Sequence, residues 1–147
     1  MPTCLFPGSF NPFTVGHASI VERALPLFEC IIIAVGVNCD KAGVDATANI
    51  DAIRRYAARF PKGKVDVTTY SGELTVDLAR RVGADWLLRG VRSAKDFEYE
   101  RDMADINRRI AGVETLILFA LPEYGAVSSS VVRELASYGH DVDEFLP

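Results

Sequence analysis

The sequence has only two histidines, His17 and His140, and three cysteines, Cys4, Cys30 and Cys39. So few imidazoles exclude a histidine-rich metal site. An odd cysteine count without CxxC spacing argues against both a disulfide framework and a zinc site. Cys4 and Cys30 fall in apolar runs and read as buried small hydrophobes. An excess of positive charge is also missing: the net charge is -4. The chain therefore has no general surface for nucleic acid or membrane, and any anion site must be local. No apolar run approaches the roughly 18 residues that a spanning helix needs. The start, Met1 to Phe6, has neither a basic n-region nor a long apolar h-region, so no signal peptide is expected. GxxxxGK[ST], GxGxxG and GxSxG are all absent, which removes the P-loop, the dinucleotide fingerprint and the hydrolase elbow. The expectation is a reduced, cytoplasmic protein whose nucleotide chemistry, if it has any, uses another phosphate device.

What is present suits one domain over residues 1–147. A chain of about 150 residues buries roughly 70% of its unfolded surface, enough for a core without staples. Five short apolar runs read as strands: Thr3 to Phe6, stopped by Pro7-Gly8; Cys30 to Val37; Val65 to Tyr70, near an edge; Trp86 to Leu88; and Thr115 to Ala120. Stretches of helical period lie between them. One is the stripe from Ile20 to Phe28, with Pro26 shortening its end. Others are Ile50, Ile53, Ala57 and Phe60; Val76, Ala79 and Val82; Met103, Ile106 and Ile110; and Val131, Val132 and Leu135. Strand and helix alternating throughout predict an α/β fold: a five-stranded parallel, Rossmann-like sheet with helices on both faces. Ligands of such sheets sit beyond the carboxyl ends of the strands.

Three segments fall there. Pro7 to His17 (PGSFNPFTVGH) follows the first strand. Gly8 and Gly16 let backbone approach a ligand, and the helix expected just after His17 would aim its free amides into the crevice. With the Ser9 hydroxyl and the His17 imidazole this makes a phosphoryl cradle; the alternative is a Pro/Gly turn with a capping histidine. Arg89-Gly90-Val91-Arg92 follows the strand at Trp86. Its guanidinium forks match phosphate oxygens, or else pair with Asp96, Glu98 or Glu100. Ser128-Ser129-Ser130 opens the last helix and offers hydroxyls and amides to a phosphate chain, or a simple N-cap. Lys41, beyond the second strand, is either a further cation at the same rim or solvated surface.

These residues resemble the phosphopantetheine adenylyltransferase family of the T/HxGH nucleotidyltransferase superfamily. Pro7 to His17, Leu88 to Glu100 (LRGVRSAKDFEYE), Asp105 to Arg108, Glu123-Tyr124 with Val127 to Ser130, and Asp143-x-Phe145 carry the likeness, which covers nearly the whole chain. The resemblance implies adenylyl transfer from ATP to 4′-phosphopantetheine, giving dephospho-coenzyme A and pyrophosphate in coenzyme A synthesis. It implies that His17 binds ATP and stabilises the transition state. Ser9, Lys41, Thr75 and Arg89 would bind phosphopantetheine. Ser9, Phe10, Gly90, Val91, Arg92, Glu100, Tyr124, Gly125, Ala126, Val127, Ser128, Ser129 and Ser130 would bind ATP. It further implies Mg²⁺ carried by the ATP rather than by protein ligands, a homohexamer, and coenzyme A among the ligands. Asn11 stands where the family usually has Asp, Thr47 to Asp51 departs from its pattern after the lysine, Gly125-Ala126 replaces a bulkier pair, and relatives usually continue past Pro147 into another short helix. Two alternatives remain: adenylyl or cytidylyl transfer to another phosphate acceptor, such as nicotinamide mononucleotide or glycerol phosphate, and a non-catalytic module that binds nucleotide or coenzyme A.

Overall fold

The computed structural model describes residues 1–37 and 46–147. Its strands are β1 (Thr3–Gly8), β2 (Cys30–Gly36), β3 (Val65–Tyr70), β4 (Trp86–Val91) and β5 (Glu114–Phe119). They form one parallel sheet in the order β3-β2-β1-β4-β5. The helices are α1 (Val15–Ala24), α2 (Ala46–Ala57), α3 (Thr75–Val82), α4 (Ala94–Ala111) and α5 (Ser129–Ser137). The expected α/β architecture, including the edge position of the third strand, is therefore present.

Side chains alternate between the two faces of the sheet, as the two-residue period of a strand requires. Cys4, Phe6, Ile31, Ile33, Val35 and Leu88 point to one face, where α1 and α2 supply Ile20, Val21, Ala24, Ile53 and Tyr56. Leu5, Ala34 and Leu87 point to the other, under Val76, Leu78 and Ala79 of α3 and against Val113. The helix ends follow from local chemistry. Pro26 turns the end of α1 into a single 3-10 turn. Gly83 and Gly112 terminate α3 and α4 in the left-handed conformation, which glycine adopts without strain.

Several boundaries differ from the sequence reading. Pro7 and Gly8 continue β1 rather than ending it, because the strand pairs with β2 through Gly8. Arg89, Gly90 and Val91 lie inside β4, paired with Ile117, Leu118 and Phe119, rather than in a turn after it. Helix α1 starts at Val15, so His17 belongs to its first turn instead of preceding it. Cys4 is fully buried as expected. Cys30 is only half-buried, with its thiol 3.8 Å from an Asp66 carboxylate oxygen at the β2–β3 edge.

The chain runs from β1 outward to β2 and β3, then returns to place β4 on the other side of β1. The order thus reverses between β1 and β4. The loops leaving those two strands part there and open a crevice at their carboxyl ends.

Candidate active site

A cavity of about 320 Å³ fills that crevice. Three segments distant in sequence meet in its walls: Ser9, Phe10 and His17 after β1, Arg89 to Val91 on β4 with Arg92 just beyond it, and Tyr124 with Val127 to Ser130 before and at the start of α5. His17, Arg92 and Ser129 share this one cavity, as the phosphate-cradle reading requires. Gly125 and Ala126 do not line it. Lys41 lies outside the described residues.

The position of His17 is dictated by a helix cap. Thr14 is the N-cap of α1, and His17 is the third helical residue. The Thr14 hydroxyl accepts from the His17 backbone N–H at 3.4 Å. In return, the Thr14 backbone N–H donates to His17 Nδ1 at 2.9 Å, and the Thr14 Oγ1 lies 3.2 Å from the same nitrogen. This is a capping box with histidine in the place usually taken by Glu or Gln. Because Nδ1 accepts, the neutral ring carries its proton on Nε2. The rings of Phe6, Phe10 and Phe13 surround the imidazole at 6.4, 4.9 and 5.4 Å between centroids. Burial, followed by the charges of Arg89 and Arg92, lowers the His17 pKa from 6.5 to about 4. The group is thus a neutral Nε2–H donor at physiological pH. Thr14 was missed as a functional residue; a threonine three places before the histidine, at a helix start, is the signal that could have found it.

Phe10 is buried and holds φ 45°, an unusual value for a residue with a side chain. Its ring lies so close to Gly8 that a Cβ there would come within 2.8 Å of the ring. Gly8 is therefore a consequence of the aromatic packing behind His17 as much as of access to a ligand. Gly90 is similar: a Cβ would meet the Ile20 side chain at 3.1 Å.

The serines are partly committed to structure. Ser128 caps α5, its Oγ accepting from Val131 N–H at 3.2 Å. Ser129 Oγ donates to the Pro12 carbonyl at 2.8 Å, and Arg133 Nη1 donates to the Asn11 carbonyl at 2.6 Å. The cap reading therefore holds at Ser128, while the Ser129 hydroxyl pins the start of α5 to the β1 loop beside the cavity.

The two arginines differ. Arg92 is exposed, and its Nε is 3.9 Å from the Asp96 carboxylate, a loose contact at a screened site. Arg89 is held on three sides. Its Nε and Nη2 donate to the two Glu100 oxygens at 2.9 and 2.7 Å, and its Nη1 donates to the Pro7 carbonyl at 2.6 Å. Burial by itself would pull the Arg89 pKa down. The Glu100 hydrogen bonds and charge outweigh it and leave the group above the usual arginine value. The alternative pairing of arginine with a nearby acid is therefore realised at Arg89 with Glu100, and only weakly at Arg92.

A second cavity, of about 140 Å³, lies on the other side of Arg89. Thr75, Glu100 and Asn107 line it together with Tyr70, Tyr99 and Met103, and Pro7, Gly8 and Arg89 belong to the walls of both cavities. Glu100 is thus placed on this second side and not on the wall of the first cavity, where a nucleotide contact was expected. Among the described residues no Asp or Glu lines the first cavity, and no cluster of three or more His, Cys, Asp or Glu occurs.

The chain is similar to known proteins over nearly its whole length. A family model described as cytidylyltransferase-like matches residues 5–135. A phosphopantetheine adenylyltransferase of Porphyromonas gingivalis is 52% identical over 144 residues, covering 97% of this chain and 92% of the relative. That of Bacteroides fragilis is 43% identical over 148 residues, covering 100% of this chain and 97% of the relative. The solved bifunctional NMN adenylyltransferase/ADP ribose pyrophosphatase of Francisella tularensis superposes with a TM-score of 0.73 at 14% identity, over 99% of this chain and 45% of that one, and supports the fold alone. With matches of this length and identity, the chain belongs to the cytidylyltransferase-like family and, within it, to the phosphopantetheine adenylyltransferases.

Proposed function

We propose that the chain transfers the adenylyl group of ATP to the phosphate of 4′-phosphopantetheine, giving dephospho-coenzyme A and pyrophosphate. The observation that carries this reading is the pair of cavities meeting at Arg89: one has His17, Arg92 and the start of α5 in its walls, the other Thr75, Asn107 and apolar side chains. A triphosphate suits the first and an extended amide-containing arm the second. Their junction is where donor and acceptor phosphates must meet.

The acceptor phosphate attacks the α-phosphorus in line as pyrophosphate leaves. The nucleophile is already an anion, so no general base is needed. The difficulty is to bring two anions together and stabilise the charge that builds up between them, a matter of positioning and electrostatics. His17 Nε2–H donates to an α-phosphoryl oxygen, and its neutrality keeps that proton directed outward. Arg92 and the first amides of α5 receive the departing phosphates, favoured by the positive end of the helix. Ser9, at the rim after β1, and Arg89, at the seam, are positioned for the acceptor phosphate. Phe10 acts from behind His17, and Tyr124, Val127 and the β4 residues Gly90 and Val91 enclose the nucleotide. Lys41 is assigned to the acceptor side on resemblance alone, and Gly125 and Ala126 to the nucleotide side on the same basis.

Among the described residues no cluster of carboxylates could cage a divalent cation, so the magnesium we assign to the reaction would enter with ATP. A homohexamer is part of the same proposal, supported by the exposed apolar side chains of α4 and by Phe119. So is a cytoplasmic location, where ATP is available; among the described residues no helix is long and apolar enough to cross a membrane.

The test is pyrophosphate release from ATP and Mg²⁺ in the presence of 4′-phosphopantetheine, nicotinamide mononucleotide or glycerol phosphate. Release with phosphopantetheine alone is expected. Release only with another acceptor, or nucleotide binding without release, overturns the assignment.

A further inference from the structure

His17 has a wall of aromatic rings behind it, and one of them has no brace on its own helix. Phe13 precedes the N-cap Thr14, and its ring lies 5.4 Å from the imidazole between centroids. A residue in that place usually packs on the fourth residue of the helix, which fixes the angle at which the chain enters. Here the fourth residue is Ala18, too small to hold a phenyl ring. Tyr56 of α2 takes over that task. It is 2% exposed, and its ring packs on Phe13 at 5.0 Å. A buried tyrosine hydroxyl needs a partner. This one donates to Glu22 Oε1 at 3.1 Å and lies 3.4 Å from the Ala18 carbonyl, both on α1 and one turn apart. Beyond it the row continues: Phe60 meets the Tyr56 ring at 5.3 Å, and the Arg59 guanidinium lies 5.5 Å from its centre. Neither Phe13 nor Tyr56 lines either cavity.

We propose that Tyr56 is a positioning residue for His17: its hydroxyl ties α2 to α1 close to the imidazole, and its ring holds Phe13 against the imidazole. The inference deepens the function proposed above and rests on it. His17 serves the reaction only if its Nε2–H points at the phosphoryl oxygen. Thr14 fixes one edge of the ring through Nδ1, but packing alone resists rocking of the ring plane. Phe13 supplies that packing at a tilt of 34°, and Phe10 meets the imidazole edge-on at 84°. Protein interiors are close-packed, so a hole behind Phe13 is felt at its neighbour. The Tyr56 hydroxyl keeps its proton, because burial and then Glu22 raise its pKa, so the tie persists at working pH. The charges that face His17 are Arg89 and Arg92. Changes at Tyr56 leave both in place, so a moved His17 titration reports lost packing.

The experiment compares the wild type with Tyr56→Leu, Tyr56→Phe and Glu22→Ala. Ile53→Ala is the control, since it opens a hole in the same core and on the same helix but leaves the row of rings complete. Pyrophosphate release gives kcat and both KM values per folded molecule, and nitrogen-15 spectra follow the titration of His17. Tyr56→Leu should lower kcat by about tenfold, because small displacements of a reacting group are costly, and leave both KM values within about twofold. The His17 titration should move up from about 4 toward 6.5 as water reaches the ring. Tyr56→Phe and Glu22→Ala cut the same tie from its two ends. Each should lower kcat by less, and the double variant no further than the stronger single one. Glu22 is exposed, so that arm stands even if Tyr56→Leu fails to fold. Unchanged kcat and titration in Tyr56→Leu, or unchanged kcat in both tie variants, overturn the proposal. So do equal effects of Ile53→Ala, full additivity of the tie variants, or a rise in one KM with kcat kept. If the wild type releases no pyrophosphate with phosphopantetheine, the proposed function fails, and the His17 titration alone then decides the role of Tyr56.

Discussion

At the scale of single residues, His17 shows how a fold sets chemistry. Protonating the ring would turn Nδ1 from an acceptor into a donor facing the Thr14 N–H, inside an aromatic shell and near two arginines. All of these disfavour the imidazolium, so at pH 6 a nitrogen-15 spectrum should show His17 neutral with the proton on Nε2, titrating only near pH 4. A normal titration near 6.5 would contradict the assignment. The sign for stability follows. The folded pKa lies below the unfolded value, so the unfolded chain takes up more protons between about pH 6.5 and 4. His17 therefore removes stability as the pH falls through that window and has no such effect above it. His17→Gln separates the two roles, because Gln at this position completes an ordinary capping box. That variant should melt near the wild-type temperature at pH 7.5, lose stability less steeply in acid, and turn over roughly 10²-fold more slowly. Near-normal turnover would remove His17 from the chemistry. His17 was legible in the sequence because imidazoles are scarce and this one sits after a strand. Thr14 was legible only in part: a threonine three places before His17 marks a capping box, but the backbone N–H that it donates to Nδ1 is a group that every residue except proline has. Nor could the sequence choose among Asp96, Glu98 and Glu100 as the partner of Arg89. All three sit within one helical stretch, and only the orientation of α4 against β4 selects among them.

At the scale of elements, the strands were legible as apolar runs, but their carboxyl ends were not. Pro7, Gly8, Arg89 and Gly90 read as turn or loop by residue type, yet each continues its strand because pairing with a neighbour overrides local preference. The consequence is functional: Arg89 is on rigid sheet, whereas a loop arginine would have to be ordered on binding. Packing explains the glycine at position 8. Gly8→Ala would place a methyl within 2.8 Å of the Phe10 ring, which cannot retreat without disturbing Phe6, Phe13 and His17. The expected cost is about 1–3 kcal/mol of stability with a fall in kcat beyond what lost folded protein explains, checked by denaturant titration beside activity per folded molecule. Helix α5 is a second case. Ser128→Ala removes the hydroxyl that satisfies Val131 N–H and should cost about 1 kcal/mol. The same change should weaken ATP more than phosphopantetheine, because the helix start lines only the first cavity. Equal weakening of both substrates would show that the cap serves stability alone.

At the scale of the whole molecule, the alternation of strand and helix already implied a parallel sheet, and the crevice between β1 and β4 follows from the order in which the strands are laid down. Helix α4 bears on the proposed assembly. Its apolar period at Met103, Ile106 and Ile110 marks a face that in a monomer should be core, yet these residues are 39%, 47% and 55% exposed. Tyr99 extends the stripe at helical spacing, and beyond it Phe97 stacks on Phe119, which is 63% exposed at the end of the edge strand. A contiguous apolar face of this kind, on a helix otherwise rich in charge, supports the proposed homohexamer and points to α4 as its interface. Ile106→Glu with Ile110→Glu places two carboxylates on that face without touching either core cluster. Light scattering should then report a smaller species, while far-ultraviolet circular dichroism remains unchanged, because an exposed substitution costs the isolated fold little. Tyr99 and Met103 belong to the same stripe and also line the second cavity, so the dissociated protein should bind phosphopantetheine more weakly than ATP relative to wild type. A variant that keeps its mass in solution would show that the α4 face is not the surface through which copies of the chain meet.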